Sequence, residues 1–221
     1  MSDRAAGGND TFQASGAQHQ NIFYGDAGGN MGDRAVGGDD IYIGGNVFPQ
    51  LVNQAFGDAS TMSGHAKGGN DTLVGGDDPN PHPAGSYETI LVGDAQSMSD
   101  HARGGSDKIV SGTGNDDVWG DARMMFDFAQ GGNDTIVFNL ENGHDRVEDF
   151  GQGLSNLGID LIDVSALGIQ SFADLTISQF DPITHESLIT FSPGNDVAVH
   201  SEEALRPQDF IFAPHQYGLL T

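Results

Sequence analysis

Apolar residues in this chain come in very short bursts, fenced by glycine and aspartate. Thr72-Leu73-Val74 is typical: Gly68-Gly69-Asn70-Asp71 precedes it and Gly75-Gly76-Asp77-Asp78 follows. In an extended segment alternate side chains face opposite ways, so Leu73 should point inward while Thr72 and Val74 point away. The same pattern predicts strands at Thr11-Phe12, Ile41-Tyr42-Ile43, Lys108-Ile109-Val110 and Thr135-Ile136-Val137-Phe138. A second series stands at Ile22-Phe23-Tyr24, Gln54-Ala55-Phe56, Ile90-Leu91-Val92 and Val118-Trp119. Strands this short do not make a stable hairpin alone and need stacked neighbours.

The phrases repeat. Double glycines begin at Gly7, Gly37, Gly68, Gly104 and Gly131, at intervals of 30, 31, 36 and 27 residues. They open GGNDTF, GGDDIY, GGNDTL, GGSDKI and GGNDTI. Six residues before each stands a methionine (Met1, Met31, Met62, Met98, Met125), and two before each an alanine (Ala5, Ala35, Ala66, Ala102, Ala129). Four units also carry Gly-Asp-Ala, at Gly25, Gly57, Gly93 and Gly120. This predicts units of two short strands and two turns, stacked as a parallel β-solenoid. Methionine and alanine would fill space near one set of turns. The Pro-rich segment 77–86 should bulge from the surface, while 111–117 is the tightest connection.

Past residue 140 the glycine phrases fade. Alternating segments at Leu175-Thr176-Ile177-Ser178 and Leu188-Ile189-Thr190-Phe191 suggest an antiparallel β cap that blunts the open end. The division expected is 1–145 for the repeats and 146–221 for the cap.

Charge sharpens this picture. The 221 residues include 33 Gly and 32 Asp and Glu against 8 Lys and Arg, a formal charge of −24, with no Cys. The acids recur at fixed places beside glycines and not in solvated runs, which points to a protein completed by cations. Without a basic patch, nucleic acid and anionic membrane are poor partners. The lack of Cys excludes disulfides, zinc–thiolate sites and cysteine nucleophiles. No apolar run is long enough to span a bilayer, and the N-terminus has no secretory h-region.

Glycine lets backbone carbonyls approach a ligand, and Asp adds a hard oxygen; Ca²⁺ takes six to eight such oxygens. The leading candidate ligands are therefore Asp10, Asp40, Asp71, Asp107 and Asp134 with Gly8, Gly38, Gly69, Gly105 and Gly132. The second set is Asp26, Asp58, Asp94 and Asp121, with Asp39, Asp77, Asp116 and Gly114. Parallel strands lie roughly 4.8 Å apart. Two carboxylates at that spacing repel by roughly 3–4 kcal/mol at an effective dielectric near 20. Stacked aspartates thus call for several Ca²⁺ ions, and folding and metal binding should be one event.

These residues resemble the RTX, or haemolysin-type, calcium-binding family, whose nonapeptide is GGxGxDxUx. Gly69-Asn70-Asp71-Thr72-Leu73-Val74-Gly75 and Gly114-Asn115-Asp116-Asp117-Val118-Trp119-Gly120 match its core. Residues 132–150, 160–168 and the ending Gln208-Asp209-Phe210-Ile211-Phe212 resemble the C-terminal region of serralysin-type secreted proteases. The resemblance implies a right-handed parallel β-roll with Ca²⁺ between successive turns. It also implies a secreted, extracellular protein exported by type I machinery that reads an uncleaved C-terminal signal. One departure stands out: where the family has Asp before Gly-Asp-Ala, this chain has Asn21, Asn53 and Thr89, and only Asp116 keeps it. The second column of turns should then bind weakly, or only near residue 116.

The function expected is a calcium-binding structural or interaction module that folds on meeting extracellular Ca²⁺, with a polysaccharide or a cell-surface molecule as its candidate partner. The alternative is a secreted enzyme, polysaccharide-active or the tail of a hydrolase, using a groove with Tyr24, Tyr42, Tyr87 and Trp119. No catalytic motif supports it: His185-Glu186 lacks the second histidine of H-E-x-x-H, with Ile189 in its place.

Overall fold

Each of the first three repeats forms three strands, because three of its segments find parallel partners in the next repeat. The computed structural model describes residues 1–14, 20–45, 52–77 and 89–214. The first units contribute β1 (Thr11–Gln13), β2 (Ile22–Tyr24), β3 (Ala27–Met31), β4 (Ile41–Ile43), β5 (Asn53–Phe56) and β6 (Ala59–Met62). There follow β7 (Thr72–Val74), β8 (Thr89–Val92), β9 (Ala95–Met98), β10 (Lys108–Val110), β11 (Asp116–Trp119) and β12 (Thr135–Val137). The rest are β13 (His144–Phe150), β14 (Leu161–Asp163), β15 (Thr176–Ile177), β16 (Glu186–Ser192), β17 (Asn195–Ser201) and β18 (Phe210–Ile211). Among the described residues the only helical pieces are three-residue 3₁₀ turns.

The first sheet runs β1-β4-β7-β10-β12-β14-β18, all parallel. Its register stacks Phe12, Tyr42, Leu73, Ile109, Ile136, Ile162 and Phe210. Leu73 is fully buried while Thr72 and Val74 are not, as strand alternation requires. The second sheet runs β2-β5-β8-β11-β13-β17-β16-β15 and stacks Phe23, Ala55, Leu91, Val118, Val147 and Val199. These two columns form the main apolar core. The third sheet, β3-β6-β9, carries Met31, Met62 and Met98 in register. With Ala35, Ala66, Ala102 and Ala129 they make a second core.

The expected right-handed parallel β-roll, a β-solenoid of two-stranded units closed by an antiparallel cap, is therefore corrected. The strands lie in three sheets, two largely parallel, and the eight-stranded sheet is mixed. Two physical facts account for the difference. The methionine column is expected only to fill space beside a turn, but the segments Ala27–Met31, Ala59–Met62 and Ala95–Met98 carry backbone N–H and C=O groups that need partners and find them in each other. The C-terminal strands, moreover, mostly continue the parallel ladders: β14 and β18 extend the first sheet, and β13 and β17 pair in parallel in the second. Antiparallel pairing among the named strands is confined to β15–β16 and β16–β17. β13 itself runs across the expected boundary at residues 145 and 146. Most of the Pro-rich segment 77–86 lies outside the described residues.

Candidate metal centre

The two cores are joined by the segments that carry the aspartates. Ala55 in the main core leads through Gly57-Asp58 to Ala59 in the second core. Ala66 in the second core leads through Gly68-Gly69-Asn70-Asp71 to Leu73 in the main one. Each of the four units that carry Gly-Asp-Ala crosses twice, so both Gly-Asp turns meet at a waist between the two cores. The crossing is close. A Cβ built on Gly93 would collide with the Gly120 carbonyl oxygen and Asp107 Oδ2, and one on Gly68 with Asp94 Oδ1 and Asp58 Oδ2. Only glycine fits such an approach of backbone and carboxylate.

This arrangement changes the relation between the two candidate sets. The GGxD aspartates and the Gly-Asp-Ala aspartates are not separate columns but share one waist. Asp40, Asp58, Asp71, Asp94, Asp107, Asp121 and Asp134 are all buried, and Asp26 at the open end is half-buried.

Their hydrogen bonds follow a rule. One oxygen of each GGxD carboxylate accepts the N–H of the equivalent Asp in the preceding unit. Asp71 Oδ1 takes Asp40 N at 2.7 Å, Asp107 Oδ1 takes Asp71 N at 2.7 Å, and Asp134 Oδ1 takes Asp107 N at 2.7 Å. One oxygen of each Gly-Asp-Ala carboxylate accepts a glycine N–H from the double-glycine turn. Asp58 Oδ1 takes Gly69 N at 2.9 Å and Asp94 Oδ1 takes Gly105 N at 2.7 Å. The other oxygen has no partner. Asp26 Oδ1 and the Oδ2 atoms of Asp40, Asp58, Asp71, Asp94, Asp107, Asp121 and Asp134 are all buried and bare. A buried oxygen without a partner costs about 1–3 kcal/mol, more when charged.

Burial accordingly raises every one of these carboxyls. Burial lifts Asp40 to about 6 and Asp134 to about 7. Burial and the Asp40 charge lift Asp71 to about 8. Asp58, Asp94 and Asp107 go well above the ordinary range, through burial first and then through neighbouring aspartates. A carboxylate in this position must either hold a proton or meet a cation.

The donor set fits a hard cation. Each waist step offers bare carboxylate oxygens and glycine carbonyls close by, and Ca²⁺ accepts both kinds of oxygen. Among the described residues no group of three or more His, Cys, Asp or Glu converges on a point. A cation here would therefore rely on backbone carbonyls such as those of Gly93 and Gly120 for part of its shell.

Other candidates fall elsewhere. Asp10 and Gly8 are exposed at the open end. Asp39 is exposed, and its Oδ1 accepts Asn70 N at 2.8 Å. Asp77 is exposed. Gly38, Gly69, Gly105 and Gly132 line the waist, their carbonyls packed against the matching glycine of the following unit. Gly114 and Asp116 form a second place in the second sheet. The register there is Asn21, Asn53, Thr89, Asp116 and then Asp145. Asp116 Oδ2 accepts Gly112 N at 2.7 Å, Asp145 accepts from Asp116 N and Asn142 Nδ2, and Asp116 Oδ1 and Asn142 Oδ1 are bare.

Three further buried aspartates, Asp145, Asp149 and Asp160, extend the same ladders and lie outside the candidate set drawn from the sequence. Gly158-Ile159-Asp160-Leu161-Ile162 repeats the Gly-x-Asp-x-apolar phrase without its double glycine, a signal that was there to read. Asp145 stands two residues before Val147 as Asp116 stands before Val118. The aromatics of the enzyme reading do not share one outward face. Tyr42 is fully buried on the first sheet, Tyr24 and Trp119 share a column with the buried Phe56 and Val92 on the second, and Tyr87 lies outside the described residues.

No helix among the described residues is long and apolar enough to cross a membrane. No family model, curated protein or solved structure matches this chain.

Proposed function

We propose that this protein is a calcium-binding module whose repeats are held together by cations at the waist. One observation carries the reading: eight aspartates each have one oxygen paired to backbone and one buried and bare. Asp40, Asp58, Asp71, Asp94, Asp107, Asp121 and Asp134, with neighbouring glycine carbonyls, are the oxygens that would hold Ca²⁺. The ions would neutralise the stacked charge and tie each unit to the next. The likeness of the glycine–aspartate phrases to haemolysin-type repeats supports the choice of Ca²⁺. On the same reading the chain works outside the cell, reaches it by a type I exporter, and serves there as a structural or interaction element.

The test is a calcium titration of chelator-treated protein, followed by far-ultraviolet circular dichroism with bound metal counted by elemental analysis. The expected result is several ions per chain and β signal that rises with them at about 10⁻⁴–10⁻³ M, as for extracellular calcium modules. Full β signal and unchanged melting without divalent ions would overturn the reading.

A further inference from the structure

The corner between the third sheet and the double-glycine turn carries a feature that the waist does not use. Of the eight Lys and Arg in the chain, Arg4, Arg34, Lys67 and Arg103 stand on this one corner. They fall in two neighbouring columns. Bridges align Val36, Lys67, Arg103 and Gln130. Two residues earlier, Arg34 N donates to Asp3 O, His65 N to Asp33 O and His101 N to Gly64 O, which stacks Arg4, Arg34, His65 and His101. Phe128 N donates to Asp100 O and completes that column. The rings form a stair: His65 to His101 is 5.1 Å, and His101 lies 5.2 Å from Phe128 at 12°. Phe128 is 71% exposed although it is a large apolar ring. Arg4, Arg34, Lys67 and Arg103 are all exposed, and among the described residues none of the four forms an ion pair. A groove of 520 Å³ opens beside Asp3, Arg4, Asp33, Arg34 and His65, and one of 340 Å³ continues it along Val36 and Lys67.

We propose that this corner is a binding strip for a linear carboxylated polysaccharide. Arg forks match carboxylates, often with two hydrogen bonds. Phe128, at the end of the stair, offers an open ring face for a sugar ring. Asp3, Asp33, Asp100 and Asp127 sit at left-handed corners between the cations. Asp33 and Asp100 each spend an oxygen on a backbone N–H, and the remaining oxygens accept sugar hydroxyls. Spacing chooses among polyanions. One cation stands on each of four successive units, and the units advance along the stack by the strand step of roughly 4.8 Å, close to the advance of one sugar in an extended chain. Duplex nucleic acid carries a charge about every 1.7 Å, roughly three times the density that one cation per step can match. The strip adds a partner to the calcium module proposed above but uses none of its buried carboxylates, so the two readings fail separately.

The test is affinity electrophoresis of the full chain at fixed calcium, in gels holding carboxymethyl cellulose or the uncharged hydroxyethyl cellulose. The wild-type protein should be retarded at least twofold more by the carboxylated polymer. Lys67→Ser with Arg103→Ser should abolish the difference. Lys108→Ser with Arg123→Ser, the same charge change away from the corner, should leave it intact. Phe128→Ala should weaken retardation without altering charge. All five positions are exposed, and circular dichroism checks that each variant keeps its fold. Equal loss in both double variants, equal retardation in the two gels, or no retardation overturns the proposal. So does competition by polyglutamate or duplex DNA as effective as that by free carboxymethyl cellulose.

Discussion

The aspartates of the repeats and those of the C-terminal strands are buried alike but treated differently. At the waist each carboxylate has one backbone partner and one bare oxygen. Farther on, Asp149 accepts from Gly120 N and Asp121 N, and Asp160 from Asp134 N and Gly151 N. Asp209 accepts from Gln152 Nε2 and Arg206 N. None of these three has a bare buried oxygen among the described residues. The same side chain thus plays two parts. Where the protein itself supplies both donors, the carboxylate is a structural link. Where it supplies one, the second oxygen is left buried and bare, and on the calcium reading proposed above that is the place of the cation. The C-terminal strands close their ladder with protein groups, while the repeats leave one oxygen of each waist carboxylate unmatched.

The comparison can be broken most directly by removing metal. Chelation should collapse amide protection in β4 to β12, while protection in β13, β16 and β17 outlasts it, as read by hydrogen exchange. Uniform protection with and without calcium would end the contrast.

Next in size is a pair of substitutions. Asp94→Asn should lower calcium affinity by tenfold or more, about 1.4 kcal/mol, and reduce the ions counted per chain. Asp149→Asn should leave the calcium count unchanged and instead cost about 1–3 kcal/mol of stability, since the NH2 half of its amide would face a backbone N–H donor that now has an acceptor. A calorimetric titration and a thermal melt separate the two outcomes.

Acidity sharpens the same contrast. The waist carboxyls, raised by burial to about 6 for Asp40, 7 for Asp134 and 8 for Asp71, bind protons more tightly folded than unfolded. The unfolded chain releases its protons near the ordinary value of about 3.9. Metal-free stability is therefore greatest in acid and falls as pH rises from about 4 through 8. With calcium present the slope reverses across that range, because the ion binds only the deprotonated oxygens. Melting curves from pH 5 to 8, with calcium and with chelator, should cross. The smallest effect is expected for Asp10→Asn, at the exposed open end, where stability should move by less than about 0.5 kcal/mol.

The inward positions and the buried aspartates of the candidate site were legible because they recur. The Met–Ala–GGxD–strand register placed Leu73, Ile109 and Ile136 inward, and the structure has them fully buried. The same register singled out Asp71, Asp107 and Asp134. The third sheet was not legible: Ala59-Ser60-Thr61-Met62 lacks the apolar alternation and β-branched run that mark a strand, and only its neighbours make it one. Asp160 escaped because its phrase lost a glycine, and Asp145 because Arg146 and Glu148 surround it with ordinary surface charge.

What the chain's order of residues determined by itself is periodic and local: which side chains face inward, where turns need glycine, and that acids stack on acids. Whether two turns some dozen residues apart meet was for the tertiary structure to decide. Asp58 and Asp71 belong to different phrases and different turns, yet each segment must cross between the same two cores, and the crossing brings them to one waist. Burial and shared charge arise only there, because desolvation depends on what the rest of the molecule places around an oxygen and not on its neighbours in sequence.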